Sequence, residues 1–178
     1  QAAIIEADLK GVMPCYGTVD GEPVSVSESM LNNLLREEMG FSGVCVSDYG
    51  AVANSHMVQH IGEQMSDAGL LAMKAGVDVE MPSPEGYGRE LCSRFNSGEL
   101  PMEILDSLVL RVLCAKLRMG LFEHPFAEEG TELRIAVCGN ADDIAVSTRS
   151  AAESLVLLKN SGVLPIRKVR KIAVIGPH

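Results

Sequence analysis

Short apolar runs alternate along the chain with longer stretches in which apolar residues recur every three or four positions, the patterns of strands and amphipathic helices. Residues 12–16 form a candidate strand despite Pro14, which a strand end tolerates. GTVDGEPV at 17–24 reads as a turn-rich loop. Ser25 or Ser27 is placed to cap the next helix, with Glu28 at capping-box spacing from Ser25. Met30, Leu31, Leu34, Leu35 and Met39 form that helix's apolar stripe, and Gly40 fits its stop. Val44, Cys45 and Val46 sit between glycines in a run too short for a helix, so 43–48 reads as a buried strand followed by a loop. The spacing predicts a helix over 62–75, with Met65, Ala68, Leu71, Ala72 and Ala75 on one side and Gly76 after it. Strand Val77 to Met81 follows, stopped by Pro82 and Pro84, and then helices near 88–97 and 101–119. The last carries a stripe of Leu105, Leu108, Val109, Val112 and Leu113.

Three strand-helix units in succession argue for an α/β fold with a parallel sheet and right-handed crossovers. A closed barrel and an open doubly wound sheet both fit that pattern. Beyond the last long helix, the EEGTEL stretch at 128–133 and Gly139 to Asp143 are polar and turn-rich. A helix from about Ile144 to Asn160 and a strand from Lys171 to Ile175 come next. IAVIGPH has the look of the start of a nucleotide-binding βα unit but lacks the glycine fingerprint.

Charge narrows the function classes. A formal net charge of −9 and a pI near 4.9 argue against a nucleic-acid partner, which needs clustered Lys and Arg. The cluster at Arg167, Lys168, Arg170 and Lys171 reads as a solvated linker. No apolar run approaches the roughly 18 residues needed to span a bilayer, so no membrane partner is expected. Cys15, Cys45, Cys92, Cys114 and Cys138 stand singly, without metal-ligand spacing, which suggests buried thiols in a reducing compartment and a cytoplasmic location. His56 and His60 would share a helix face, yet a metal needs three or four convergent ligands; they read as solvated or hydrogen-bonded, and no metal or cofactor is expected.

One carboxylate stands out. GFSGVCVSDYG at 40–50 delivers Asp48 to the end of an apolar strand, where an α/β barrel places its chemistry, although a turn former or helix cap would sit there too. MPCYGTVDGEPV, SESMLNNLLREEMGFSG and VCVSDYGAV, with AGVDVEMP at 75–82, RVLCAKLRMGLFEHPF at 111–126 and ESLVLLKNSGVLPI at 153–166, resemble glycoside hydrolase family 3, the β-glucosidase and β-xylosidase group. The resemblance covers nearly the whole chain and selects the barrel. It implies that 1–121 are the last three strand-helix units of a (β/α)8 TIM barrel, 122–143 a linker, and 144–178 the start of an α/β sandwich domain. A complete barrel alone takes about 250 residues. The chain also opens in mid-element with QAAIIEADLK, and it reads as an internal piece of a larger enzyme.

The same resemblance makes Asp48 the catalytic nucleophile of a retaining hydrolase acting on β-linked glucosides or xylosides at the non-reducing end. It implies that the acid/base lies in the second domain, so Asp78, Glu80 and Glu85 are not given that role. Tyr16 matches a motif tyrosine whose phenol can hydrogen-bond the nucleophile, while Cys15 and Gly17 depart from that motif. Met13 matches a pocket-lining residue, though a strand Met is otherwise core. Tyr49 stands where Trp is often found and offers a ring for a sugar face. Tyr87, in the EMPSPEGYG loop, is a further ring able to reach a sugar. Two other readings fit in part: an inert carbohydrate-binding relative, and a doubly wound domain in which Asp48 takes a phosphoryl group or metal.

Overall fold

Strand β4 (Val44–Tyr49) lies between β1 (Gly11–Val12) and β5 (Val79–Met81) and runs parallel to both in the computed structural model, which describes residues 1–126, 134, 136–168 and 171–176. Parallel neighbours need long crossovers. A short helix α1 (Ala2–Ile5) precedes β1, and from β4 to β5 the chain passes through α2 (Ala51–Met57) and α3 (Met65–Ala75), and from β1 to β4 through a hairpin and a helix over Ser29–Glu38. All three strands therefore end at the same edge of the sheet. This is a mixed α/β architecture, as the alternation predicts.

Several local expectations are corrected. β1 stops at Val12 and the chain from Met13 to Cys15 leaves the ladder, because Pro14 has no amide to give it. The loop at 17–24 contains a small hairpin, β2 (Thr18–Val19) against β3 (Glu22–Pro23), turned by Asp20 and Gly21 with φ of 51° and 85°. Positive φ at both turn positions is what an Asp-Gly pair supplies. The helix Ser29–Glu38 is wound as a π-helix, and the Met39 amide reaches back to the Leu34 carbonyl at 2.9 Å. Ser27 rather than Ser25 caps it, its hydroxyl accepting the Met30 amide at 3.3 Å. Ser25 is turned inward, so the capping box with Glu28 does not form.

Residues 51–57, read as a loop, form α2, whose Ala51, Val52, Ala53 and Ser55 are all buried; residues this small give no apolar stripe to read. α3 opens on a capping box of Gln64 and Asp67, and Gly76 ends it at φ 94°. α4 (Arg89–Asn96) and α5 (Met102–Arg118) complete this compact unit, Gln1–Phe126.

Two apolar clusters hold it together. Val24, Val26, Leu31, Cys45, Val52, Ala72, Ala75 and Val77 make one, between the sheet and its crossovers. Met73, Leu91, Phe95 and Leu108 make the other, under α4 and α5. Tyr87 packs against both and donates its hydroxyl to the Val77 carbonyl at 2.6 Å, which pushes its pKa well up through burial. It bridges the two clusters. At the start of β5, Asp78 has a fully buried carboxylate that accepts from Arg36 at 2.9 Å, Arg111 at 2.5 Å and the Cys45 amide at 2.7 Å. This joins the π-helix, α5 and two strands at the edge where the strands begin. The Cys45 thiol is covered there and pushed up to about 11 by burial.

The second compact unit, Ala127–His178, contains the helix Ala141–Glu153, capped by Asn140, whose side chain accepts from the amides of Asp142 and Asp143. It starts three residues before the expected Ile144 and ends well before Asn160. Residues 171–176 form no strand, in contrast to the expected strand from Lys171 to Ile175. The stretch 128–133, Arg170 and the final Pro177 and His178 lie outside the described residues. Among those described, no helix is long and apolar enough to cross a membrane.

Candidate active site

Burial alternates along β4. Cys45 and Ser47 are buried toward the helices, while Val44, Val46 and Asp48 are half-buried on the other face. Asp48 reaches the strand's C-terminal end on that second face. Its Oδ1 accepts the Tyr49 amide at 2.6 Å, which orients the carboxylate against its own backbone. Gly50, at φ 68°, then turns the chain into α2.

Tyr16 comes to this carboxylate from beyond β1. Its hydroxyl lies 2.5 Å from the Tyr49 carbonyl, to which it donates. Shielding from water, and then the neighbouring Asp48 carboxylate, hold the phenol above its ordinary pKa of 10. Three hydrogen bonds fix the backbone around it. Gln59 Nε2 donates to the Tyr16 carbonyl at 2.9 Å, the Val24 amide to Gly17 at 3.0 Å, and the Ser25 hydroxyl to Cys15 at 3.4 Å. Cys15 and Gly17 thus act here through their carbonyls, which any residue has.

Met13, 61% exposed, and Tyr49, 65% exposed, are open to solvent at the same strand ends. Met13 is not a core strand residue.

The other acids of this region are engaged elsewhere. Asp78 is consumed by its two arginines at the opposite edge. Glu80 accepts the amides of Gly86 at 2.9 Å and Tyr87 at 2.7 Å and so pins the loop after β5; desolvation raises its pKa. Glu85 accepts from the Ser83 hydroxyl at 3.2 Å. His56 lies on α2 with Nδ1 3.2 Å from the Ile61 carbonyl, and His60 is beyond the helix at φ 58°. Among the described residues no group of side chains is arranged to hold a metal. Gln59 and Ser47 escaped the sequence reading, in which Ser25 is a candidate helix cap rather than a support of the site. Gln59 is 43 residues from the tyrosine it supports, a separation no local pattern reveals.

Comparison with known proteins gives the chain's family. Residues 1–115 match the Glycosyl hydrolase family 3 N terminal domain. The chain is 35% identical to the periplasmic beta-glucosidase of Salmonella typhimurium over 97% of its own length and 23% of that protein's. It is 30% identical to a beta-xylosidase of Formosa agariphila, covering all of this chain and 26% of that protein. Among solved structures, the beta-glucosidase of Listeria innocua superimposes with a TM-score of 0.76 at 35% identity, over 92% of this chain and 22% of that one. That enzyme has also been solved with glucose and, as a mutant, with laminaribiose. The chain therefore spans about a quarter of the curated relatives it matches.

Proposed function

From the chain's membership of glycoside hydrolase family 3, we propose that it carries the nucleophile side of a retaining β-glycosidase, with Asp48 as the nucleophile. The observation that carries this reading is the position of Asp48 at the end of a central parallel strand, with the Tyr16 hydroxyl donating to the carbonyl of the next residue, Tyr49. An ionised carboxylate there attacks the anomeric carbon, forms a covalent glycosyl-enzyme and expels the leaving oxygen, and water then releases the sugar. The Tyr16 phenol keeps the carboxylate oriented. Met13 and Tyr49 border the sugar.

A retaining pair needs a second carboxyl about 5–5.5 Å from the first. Asp78 and Glu80 are committed to structural partners, so the acid/base is proposed to come from another part of a longer protein. On the same reading, residues 1–121 are the closing three units of a TIM barrel, 122–143 the linker, and 144–178 the beginning of a sandwich domain. The substrate class is a β-linked glucoside or xyloside, as the names of the relatives suggest.

The test is covalent trapping on the parent enzyme with a 2-fluoro glycoside bearing a good leaving group, followed by peptide mass mapping. The label belongs on Asp48. A label on Asp78 or Glu80 gives the nucleophile to another residue, and an active enzyme that forms no label ends the retaining mechanism. An inert sugar-binding relative binds glycosides and neither turns them over nor labels.

A further inference from the structure

β4 and β5 are paired Val46 to Val79 and Tyr49 to Met81, so three steps on β4 match two on β5. The extra residue makes a register shift of the β-bulge kind between Val46 and Tyr49, at Ser47 and Asp48. A bulge leaves one residue without a regular ladder partner and re-aims the side chains around it. What stabilises this one is a side chain. Ser47 is 1% exposed; its hydroxyl accepts the Met81 amide at 2.8 Å and donates to the Asp48 carbonyl at 3.0 Å. Beyond it the Met81 carbonyl accepts from Gly50 at 2.8 Å, which resumes the ladder. A hydroxyl can donate once and accept, and here both capacities are used inside the protein.

We infer that Ser47 is a positioning residue for the proposed reaction: its buried hydroxyl joins the Met81 amide to the Asp48 carbonyl across the bulge and so sets the direction in which the Asp48 carboxylate leaves β4. The inference rests on the reading of Asp48 as nucleophile. Two constraints converge on the aspartate. Ser47 fixes its carbonyl from within the sheet, and the Tyr49 amide fixes its carboxylate from outside. With the hydroxyl removed, the peptide between residues 48 and 49 loses its tether and the carboxylate shifts relative to the sugar. Misplacement of a reacting group by about 1 Å costs on the order of 10²-fold in rate.

The experiment compares Ser47→Ala, Ser47→Thr and Asp48→Ala in the parent enzyme by melting temperature, kcat and KM on an aryl β-glycoside. Ser47→Ala should fold and lose roughly 10²-fold in kcat with KM little changed. Ser47→Thr, which keeps the hydroxyl, should recover most of that loss. Ser47→Cys, close to serine in shape and a weaker donor, replaces Ser47→Ala if the alanine variant does not fold. Parent-like kcat in Ser47→Ala beside a dead Asp48→Ala overturns the positioning role alone. Equal slowing in the alanine and threonine variants, together with lowered melting temperatures, also overturns it in favour of packing. Turnover retained in Asp48→Ala overturns the nucleophile reading, and the role of Ser47 falls with it.

Discussion

The Tyr16 hydroxyl stands 2.5 Å from the carbonyl oxygen of Tyr49 and closes a span of 33 residues over Asp48. The two tyrosines come from different strand ends, so the bond exists only when β1 and β4 are side by side. It commits the phenolic proton to that backbone carbonyl, one residue on from the Asp48 carboxylate.

Tyr16→Phe should therefore slow the parent enzyme without preventing covalent labelling of Asp48. Losing the hydrogen bond that holds the Tyr49 carbonyl, a net of about 1 kcal/mol, corresponds to roughly 5-fold in rate. Because the Tyr16 pKa is raised by shielding and by the Asp48 carboxylate, the phenol stays protonated through neutral pH. The ratio of parent to variant kcat should be flat from about pH 5 to about pH 9. A ratio that collapses toward one within that range assigns Tyr16 no role as donor.

Asp78→Ala should act on stability. The carboxylate is fully buried between Arg36 and Arg111, and removing one member of a buried ion network costs about 3–5 kcal/mol because the remaining charges lose their partner. Urea unfolding of the parent enzyme and the variant measures it. Unchanged unfolding would mean that the two guanidinium groups find other acceptors.

Glu80 gives a pH signature of defined sign. Desolvation raises its pKa in the folded protein above the ordinary 4.5, so between those two values the folded state binds more protons than the unfolded one. Its contribution is present at the acid end of that window and lost as pH rises through it. The stability of Glu80→Gln relative to the parent should accordingly improve with rising pH across the window, as read from urea midpoints at a series of pH values.

Gly69→Ala should destabilise, although alanine is ordinarily favoured over glycine in a helix by about 1 kcal/mol. A Cβ at this position of α3 would stand 2.2 Å from the backbone carbonyl oxygen of Gly86. Backbone cannot rotate away as a side chain can, and overpacking of this kind costs about 1–3 kcal/mol. A raised urea midpoint in the variant would mean that the loop after β5 yields freely.

The 178-residue chain on its own should release no aryl aglycone, since one of the two proposed carboxyls is absent from it. Assay of the purified chain against a panel of aryl β-glycosides decides this, and robust turnover would place the acid/base within these residues.

The two central strands, β4 and β5, and the long helices were legible because their signals are local. Val44 to Val46 between glycines, and the spacing from Met65 to Ala75 before Gly76, each specify an element without help from elsewhere. α2 was not legible, because Ala51, Val52, Ala53 and Ser55 are buried through close packing of small residues and show no polar-apolar contrast. The Asp-Gly pair at 20–21 does carry a hairpin signal, obscured by strands only two residues long. In the site, Asp48 and Tyr16 could be named from motifs. Their supports could not: Gln59 and Ser25 act through contacts that the fold alone creates, and the role of Ser47 depends on a register shift with a strand 34 residues away.

Because β1, β4 and β5 all point the same way, the sheet has a polarity that a mutational scan of the parent enzyme would resolve into two phenotypes. Substitutions where the strands begin, at Arg36, Asp78 and Arg111, should lower cellular abundance and leave the specific activity of the surviving molecules close to normal. Those where the strands end, at Tyr16, Ser47 and Asp48, should leave abundance closer to normal and lower specific activity. A few residues along one strand would then separate the two kinds of defect, and Cys45, the second residue of β4, should register in abundance alone.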